Sequence, residues 1–163
     1  MSFSKMLKKT KSNEVRRKRK VDGRVSIVAS RYNGTYVDAM LRSAKQELKE
    51  AGISRIEVVR VPGAFEVPVV AAKWALNLTD PPDAVICLGV IFQGETAHAR
   101  QIGDSVSFAL AELQIRSLVP IIHGVYLFDN REQAVVRCLG KDHNRGVETA
   151  RTAVEMVRVL RRI

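Results

Sequence analysis

The stretch Ala84-Val-Ile-Cys-Leu-Gly-Val90 contains no polar side chain. A strand with one wet face alternates polar and apolar residues. One that does not alternate must be covered on both faces, as in a parallel sheet between two layers of helices. The sequence on either side supplies such layers. Arg24-Val-Ser-Ile-Val-Ala-Ser30 is short and β-branched and ends at the polar turn Arg31-Tyr-Asn-Gly34. Val37, Met40, Leu41, Ala44 and Leu48 then recur at steps of three and four, an amphipathic helix closed by Gly52. Ile53 to Val61 reads as a second strand, broken by Pro62-Gly63. Phe65 to Leu78, apolar and Ala-rich, reads as a buried helix, with Pro68 in its first turn where a missing N–H does no harm. Beyond the third strand, Ile102, Val106, Leu110 and Leu113 stripe one helix, and Val119 to Leu127 forms a fourth strand. Arg131 to Leu139 and Gly146 to Arg162 are two further helices, the last with Val147, Ala150, Val154 and Val157 inward. The expected fold class is α/β: a three-layer α/β/α sandwich around a central four-stranded parallel sheet.

Charge divides the chain differently. Of the formal +10, residues 1–20 carry nine basic side chains against Glu14 alone, a net +8, so the remainder is nearly balanced at +2. The expected organisation is a basic, disordered arm over residues 1–22 and a single α/β domain over 23–163. The arm lacks a signal peptide's apolar core. It reads either as a solvated extension or as a contact for nucleic acid or another polyanion. No apolar run approaches the roughly 18 residues that span a bilayer, so no membrane partner is expected. Cys87 and Cys138 do not make a disulfide framework, and no Cys/His cluster has zinc spacing. Cys87, mid-strand, reads as a small buried hydrophobe. A reducing compartment, the cytoplasm, fits best.

Open parallel sheets bind ligands beyond the C-terminal ends of their strands. Four such ends are expected here: Ser30 to Tyr32, Val61 to Glu66, Gly89 to His98, and Tyr126 to Asn130. The distinctive residues fall on three of them. Gly89-Val-Ile-Phe-Gln-Gly-Glu-Thr-Ala-His98 leads from a buried strand into a helix starting near Thr96 and His98. Backbone N–H groups at a helix start attract anions, and a histidine one turn in can move protons.

Several stretches together resemble the 6,7-dimethyl-8-ribityllumazine synthases. They are Ser30-Arg-Tyr-Asn33, Val61-Pro-Gly-Ala-Phe-Glu-Val-Pro68, Ala84 to Gly89 with Gly94-Glu-Thr-Ala-His98, Val119-Pro-Ile-Ile-His-Gly124, and Glu132-Gln-Ala134 through Arg137 to Asn144-Arg-Gly146. The likeness covers about residues 24 to 163. It implies a flavodoxin-like fold and a transferase that condenses 5-amino-6-(D-ribitylamino)uracil with 3,4-dihydroxy-2-butanone 4-phosphate. The product is 6,7-dimethyl-8-ribityllumazine, with orthophosphate and water released, the penultimate step of riboflavin biosynthesis. It implies no cofactor and no metal.

The same resemblance assigns roles to individual residues. His98 matches the proton-transfer histidine. Tyr32 matches an aromatic that stacks on the pyrimidine. Ala64, Phe65 and Glu66 match the segment lining the ring and ribityl chain, with Phe65 equally readable as core. Val90, Ile91 and Phe92 match a segment that meets the pyrimidine edge largely through backbone groups. His123 falls where family members carry Phe or His and a neighbouring subunit closes the ring site; a satisfied core histidine is its rival reading. Glu95, through its N–H, and Thr96 match the phosphate-holding positions, and Thr96 could also cap the helix. Arg137 and Arg145 match basic residues reaching the same phosphate. A homo-oligomer is implied, a pentamer with shared sites and, for want of an insertion between the last two helices, twelve pentamers in a shell. Two departures stand out: Gln93 where Arg is common, and Ala99-Arg100 where an aromatic-Asp pair is usual. The second raises an alternative, a non-catalytic flavin- or lumazine-binding relative; the arm raises another, a polyanion-binding protein.

Overall fold

The computed structural model describes residues 20–163. The first nineteen residues, and with them most of the expected disordered arm and the polyanion contact, lie outside the described residues; of the arm's last three residues, Val21 is buried in the core with its N–H donating to the Ala51 carbonyl at 2.8 Å. The strands are β1 (Arg24–Ser30), β2 (Arg55–Val61), β3 (Ala84–Phe92) and β4 (Ile121–Phe128). They form one parallel sheet in the order β2-β1-β3-β4. The helices are α1 (Gly34–Ala51), α2 (Val67–Ala75, preceded by a 3₁₀ turn at Ala64–Glu66), α3 (His98–Ser117), α4 (Arg131–Ala134, continued by a π-helical turn at Val135–Leu139) and α5 (Arg145–Leu160). None among the described residues is long and apolar enough to cross a membrane.

The unbroken apolar run becomes the sheet's centre, with each neighbour in its side-chain sequence sent to the opposite face. Ala84, Ile86, Leu88 and Val90 pack under α1 and α5, against Val37, Met40, Leu48, Ala150, Val154 and Val157. Val85, Cys87 and Ile91 pack under α2 and α3, against Val67, Ala71, Val106 and Leu110. The three-layer expectation therefore holds. Two glycines set its close approaches. Gly52 closes α1 at φ 98°, a left-handed backbone that glycine adopts without strain. Gly146 lies against α1 so closely that a Cβ there would stand 2.2 Å from the Met40 carbonyl oxygen.

Three local expectations need correction. The segment from Phe65 to Leu78 is not a buried helix: α2 stops at Ala75 and buries only Val67, Ala71 and Ala75, while Val69 is 68% exposed and Leu78 stands in solvent. Small alanines satisfy the sheet-facing stripe, and Asn77 ends the run by accepting hydrogen bonds from the N–H groups of Thr79 and Asp80. The Arg131–Leu139 helix is α-helical for one turn only before widening into the π turn. His98 is the first residue of α3, not one turn inside it.

Candidate active site

The order β2-β1-β3-β4 has its switch point between β1 and β3, where the chain departs to opposite sides and leaves a crevice above the strand ends. A cavity of about 760 Å³ occupies that place. Its walls come from all four strand ends. Tyr32 and Asn33 follow β1, Gly63 to Glu66 follow β2, Val90 to Gln93 end β3, and Asp129 to Arg131 follow β4. His98, Ala99 and Ile102 close it from α3.

The rim is tied together by backbone and buried polar groups. The N–H groups of Arg31 and Tyr32 donate to the carbonyls of Val61 and Pro62, at 2.8 and 2.9 Å, locking the β1 turn to the β2 end. Arg60 reaches across with Nε to the Ala29 carbonyl (3.1 Å) and Nη2 to the Ser30 carbonyl (2.8 Å), and pairs with Asp38 at 2.6 Å. Asn33 sits in the left-handed region at φ 56° and donates Nδ2–H to the Val90 carbonyl at 2.7 Å. It is the N-cap of α1, yet it makes no side-chain cap bond; its amide goes to β3 instead. The site's floor is thus fixed without any ligand.

On that floor the side chains divide by chemistry. Tyr32 is 73% exposed and Phe65 60%, two aromatic faces turned to the cavity and not to the core. Large exposed apolar surface of this kind marks a place where something binds. The Val90 side chain is buried, so β3 offers the cavity its backbone edge. Phe92 is braced edge-on by Tyr36, with ring centroids 5.4 Å apart. One oxygen of Glu66 accepts from the Gly63 N–H at 2.9 Å, which holds the turn around Ala64. His98 is exposed on the α3 side. Glu95 and Thr96 lie in the loop leading to it without lining the cavity; the Thr96 hydroxyl accepts from the His98 N–H at 3.4 Å. The N-cap of α3 is Ala97, with no side-chain cap bond, so Thr96 precedes the cap and is not the cap itself.

The other three assigned residues are elsewhere. His123 and Arg145 line a separate depression of about 360 Å³ along β4 and α5, together with Gln114 and Tyr126. His123 is exposed on β4, not a core histidine; its Nε2 is 2.8 Å from the Ser107 hydroxyl, and its partial burial pushes its pKa down. Arg145 lies over the Tyr126 ring at 5.1 Å and donates to Glu148 at 2.6 Å. Arg137 is half-buried in the π-helical turn and lines neither space.

The model of the 6,7-dimethyl-8-ribityllumazine synthase family matches residues 22–161. The chain belongs to this family. It is a lumazine synthase, a riboflavin-pathway enzyme that condenses 5-amino-6-(D-ribitylamino)uracil with 3,4-dihydroxy-2-butanone 4-phosphate, and the family implies small-molecule substrates and an oligomeric assembly.

Within that identity the departures acquire a structural meaning. Gln93 spends its amide on the loop itself, donating to the carbonyls of Gly94 (2.8 Å) and Thr96 (3.1 Å). It braces the segment ahead of His98 instead of offering a cation. Ala99 is buried against the cavity and Arg100 points to solvent. Among the described residues no carboxylate bonds the His98 ring. The sequence reading missed Asn33 as a structural tie and missed Arg131, among the described residues the only arginine that lines the cavity. The strand-end rule named the β4 end, but nothing in Tyr126 to Asn130 singled out the residue after it. No group of three or more His, Cys, Asp or Glu side chains that could hold a metal ion occurs among the described residues.

Proposed function

We propose that the cavity is one half of a shared active site, and that an adjoining copy of the chain completes it with His123, Arg137 and Arg145. The observation that carries this is the separation of the assigned residues into two groups within one chain: the cavity's lining, and the outer surface of β4 and the π turn. Tyr32 stacks on the pyrimidine, whose edge meets the β3 backbone at Val90 to Phe92. Ala64, Phe65 and Glu66 receive the ribityl chain. The N–H of Glu95 and the hydroxyl of Thr96 hold the phosphate at the start of α3, opposite the partner's Arg137 and Arg145, whose planar forks suit it. Imine formation joins the amine nitrogen to the ketone carbon and releases water. Elimination then takes a proton from carbon as the C–O bond breaks and orthophosphate leaves. His98 moves these protons near neutral pH, a contribution of about 10² to 10⁴ in rate, while the two half-sites position the substrates.

The assembly we propose is a ring of five, twelve of which close a shell, in the cytoplasm. Supporting it are Phe108 and Ile115 exposed on α3 and Val69 on α2, surfaces that symmetric association would cover. Only residues 140–144 connect the π turn to α5, with no insertion to block closure.

Complementation between two crippled variants tests the shared site. One carries Tyr32→Ala with His98→Ala, the other His123→Ala with Arg137→Ala. Each alone should be far less active than the parent. After dissociation and random co-assembly, about one interface in four would pair two intact halves, and lumazine fluorescence should report a corresponding recovery. Activity no higher than the mean of the two parents would refute the arrangement.

A further inference from the structure

One polar contact in the second group bridges α3 and β4 at an exposed site. Ser107 lies on the exposed face of α3, and its hydroxyl donates to the Gly103 carbonyl one turn earlier at 2.8 Å. That bond uses the only proton a serine side chain has, leaving its lone pairs to accept. The second contact, 2.8 Å to Nε2 of His123, must then run from the ring to the hydroxyl. In the neutral ring this arrangement corresponds to the Nε2–H tautomer. The ring's plane is fixed as well, where a histidine otherwise turns broadly about its second side-chain torsion.

We propose that Ser107 is a positioning residue, holding the His123 ring in one tautomer and one orientation for the pyrimidine bound by the adjoining copy. This rests on the assignment of His123 to the shared site. An apolar aromatic at position 123 would need no such support, because all edges of its ring are alike. An imidazole has two unlike nitrogens, and an unheld ring would present the wrong one part of the time. The residue that settles this comes from α3, which also carries His98 at its start. One helix thus serves the proton shuttle of its own half-site and the ring platform of the next.

The test uses the intact assembly and steady-state kinetics with both substrates, beside ¹⁵N NMR of the three histidines. Ser107→Ala should raise KM for the ribitylaminouracil about three- to tenfold, the effect of one ordinary hydrogen bond, with kcat and the KM of the phosphate substrate unchanged. Ser107→Thr should restore the parent value. In a His123→Phe background Ser107→Ala should have no effect, since a double-mutant cycle isolates the pair. The His123 ¹⁵N shifts should report Nε2–H in the parent and mixed tautomers in Ser107→Ala. If His123→Ala leaves both KM values unchanged, the shared-site assignment falls, whatever the NMR reads. If His123→Ala raises KM but Ser107→Ala does not, or the parent shows Nδ1–H, the positioning role is overturned and the shared site survives.

Discussion

Asn33 offers the sharpest test of how the cavity floor is held. Its backbone is left-handed (φ 56°, ψ 39°), and its amide donates to the Val90 carbonyl at 2.7 Å. Two substitutions separate these features. Asn33→Gly removes the amide but suits the backbone; Asn33→Ala removes the amide and also puts a Cβ where the left-handed region costs an ordinary residue about 1–2 kcal/mol. Losing the hydrogen bond, with a part-buried carbonyl left short of a partner, costs about 1–2 kcal/mol in both. Glycine adds up to about 1 kcal/mol through the extra freedom of the unfolded chain. The expected order is therefore parent above Asn33→Gly above Asn33→Ala, with Ala lower than the parent by about 2–4 kcal/mol. Guanidinium unfolding followed by far-UV circular dichroism measures this, at one fixed protein concentration because subunit association adds to apparent stability. Both variants should bind a product analogue more weakly, since the β3 edge loses its tie. Equal stability of the two variants, or Ala above Gly, would refute the claim that the backbone at position 33 is what selects asparagine.

Gly146→Ala should lower the thermal midpoint steeply, by about 3 kcal/mol or more of stability, because its Cβ would meet the Met40 carbonyl oxygen at 2.2 Å and α1 and α5 would have to separate. Gly103→Ala, inside α3 with nothing within 4 Å of its Cβ, is the control and should raise the midpoint slightly, by about 0.5–1 kcal/mol of stability. Burial pushes the Cys138 thiol from 9.0 up to about 11 and Cys87 higher still, so iodoacetamide at pH 8 should leave both unlabelled until the chain is denatured. The same shifts favour the folded state fully below pH 9 and progressively less as pH rises toward about 11; a chain whose stability did not fall across that window would contradict the burial.

Strands and helices were legible where burial is complete and internal. β1 matches its apolar run end to end, and the stripes on α1, α3 and α5 fall on the core, because alternation and the 3.6-residue period register directly which side meets the sheet. Legibility failed where an apolar residue is not covered by its own chain. Val69 and Leu78 read as core in the sequence and stand exposed in the structure; hydrophobic pattern alone cannot tell a face covered by the fold from one left for a partner. The start of α3 was legible at the turn between Thr96 and His98, although His98 is its first residue and not one turn inside it. The cavity half of the site was readable, since strand ends are local in sequence. The expectation that a neighbouring subunit closes the site came only through the family resemblance, because nothing local in the sequence records where β4 and the π turn lie relative to β3.

Charge gives an independent reason for that division to matter. Among the described residues the charged side chains lining the cavity are two carboxylates, Glu66 and Asp129, and one guanidinium, Arg131, a net negative sum. The phosphate substrate brings about −1.5 to −2 more near neutral pH. Helix-start N–H groups supply only about half an elementary charge, too little to offset this in a pocket whose apolar walls weaken solvent screening. Arg137 and Arg145, the other basic residues that the family resemblance assigns to the phosphate, do not line this cavity. Arg145 is moreover already balanced by Glu148, so its contribution must come from a geometry in which it is shared. On the proposed assignment an isolated chain has the aromatic face of Tyr32 but little positive charge to offer the phosphate. In the shared site proposed above, a second copy's Arg137 and Arg145 would supply the positive charge that this lining lacks.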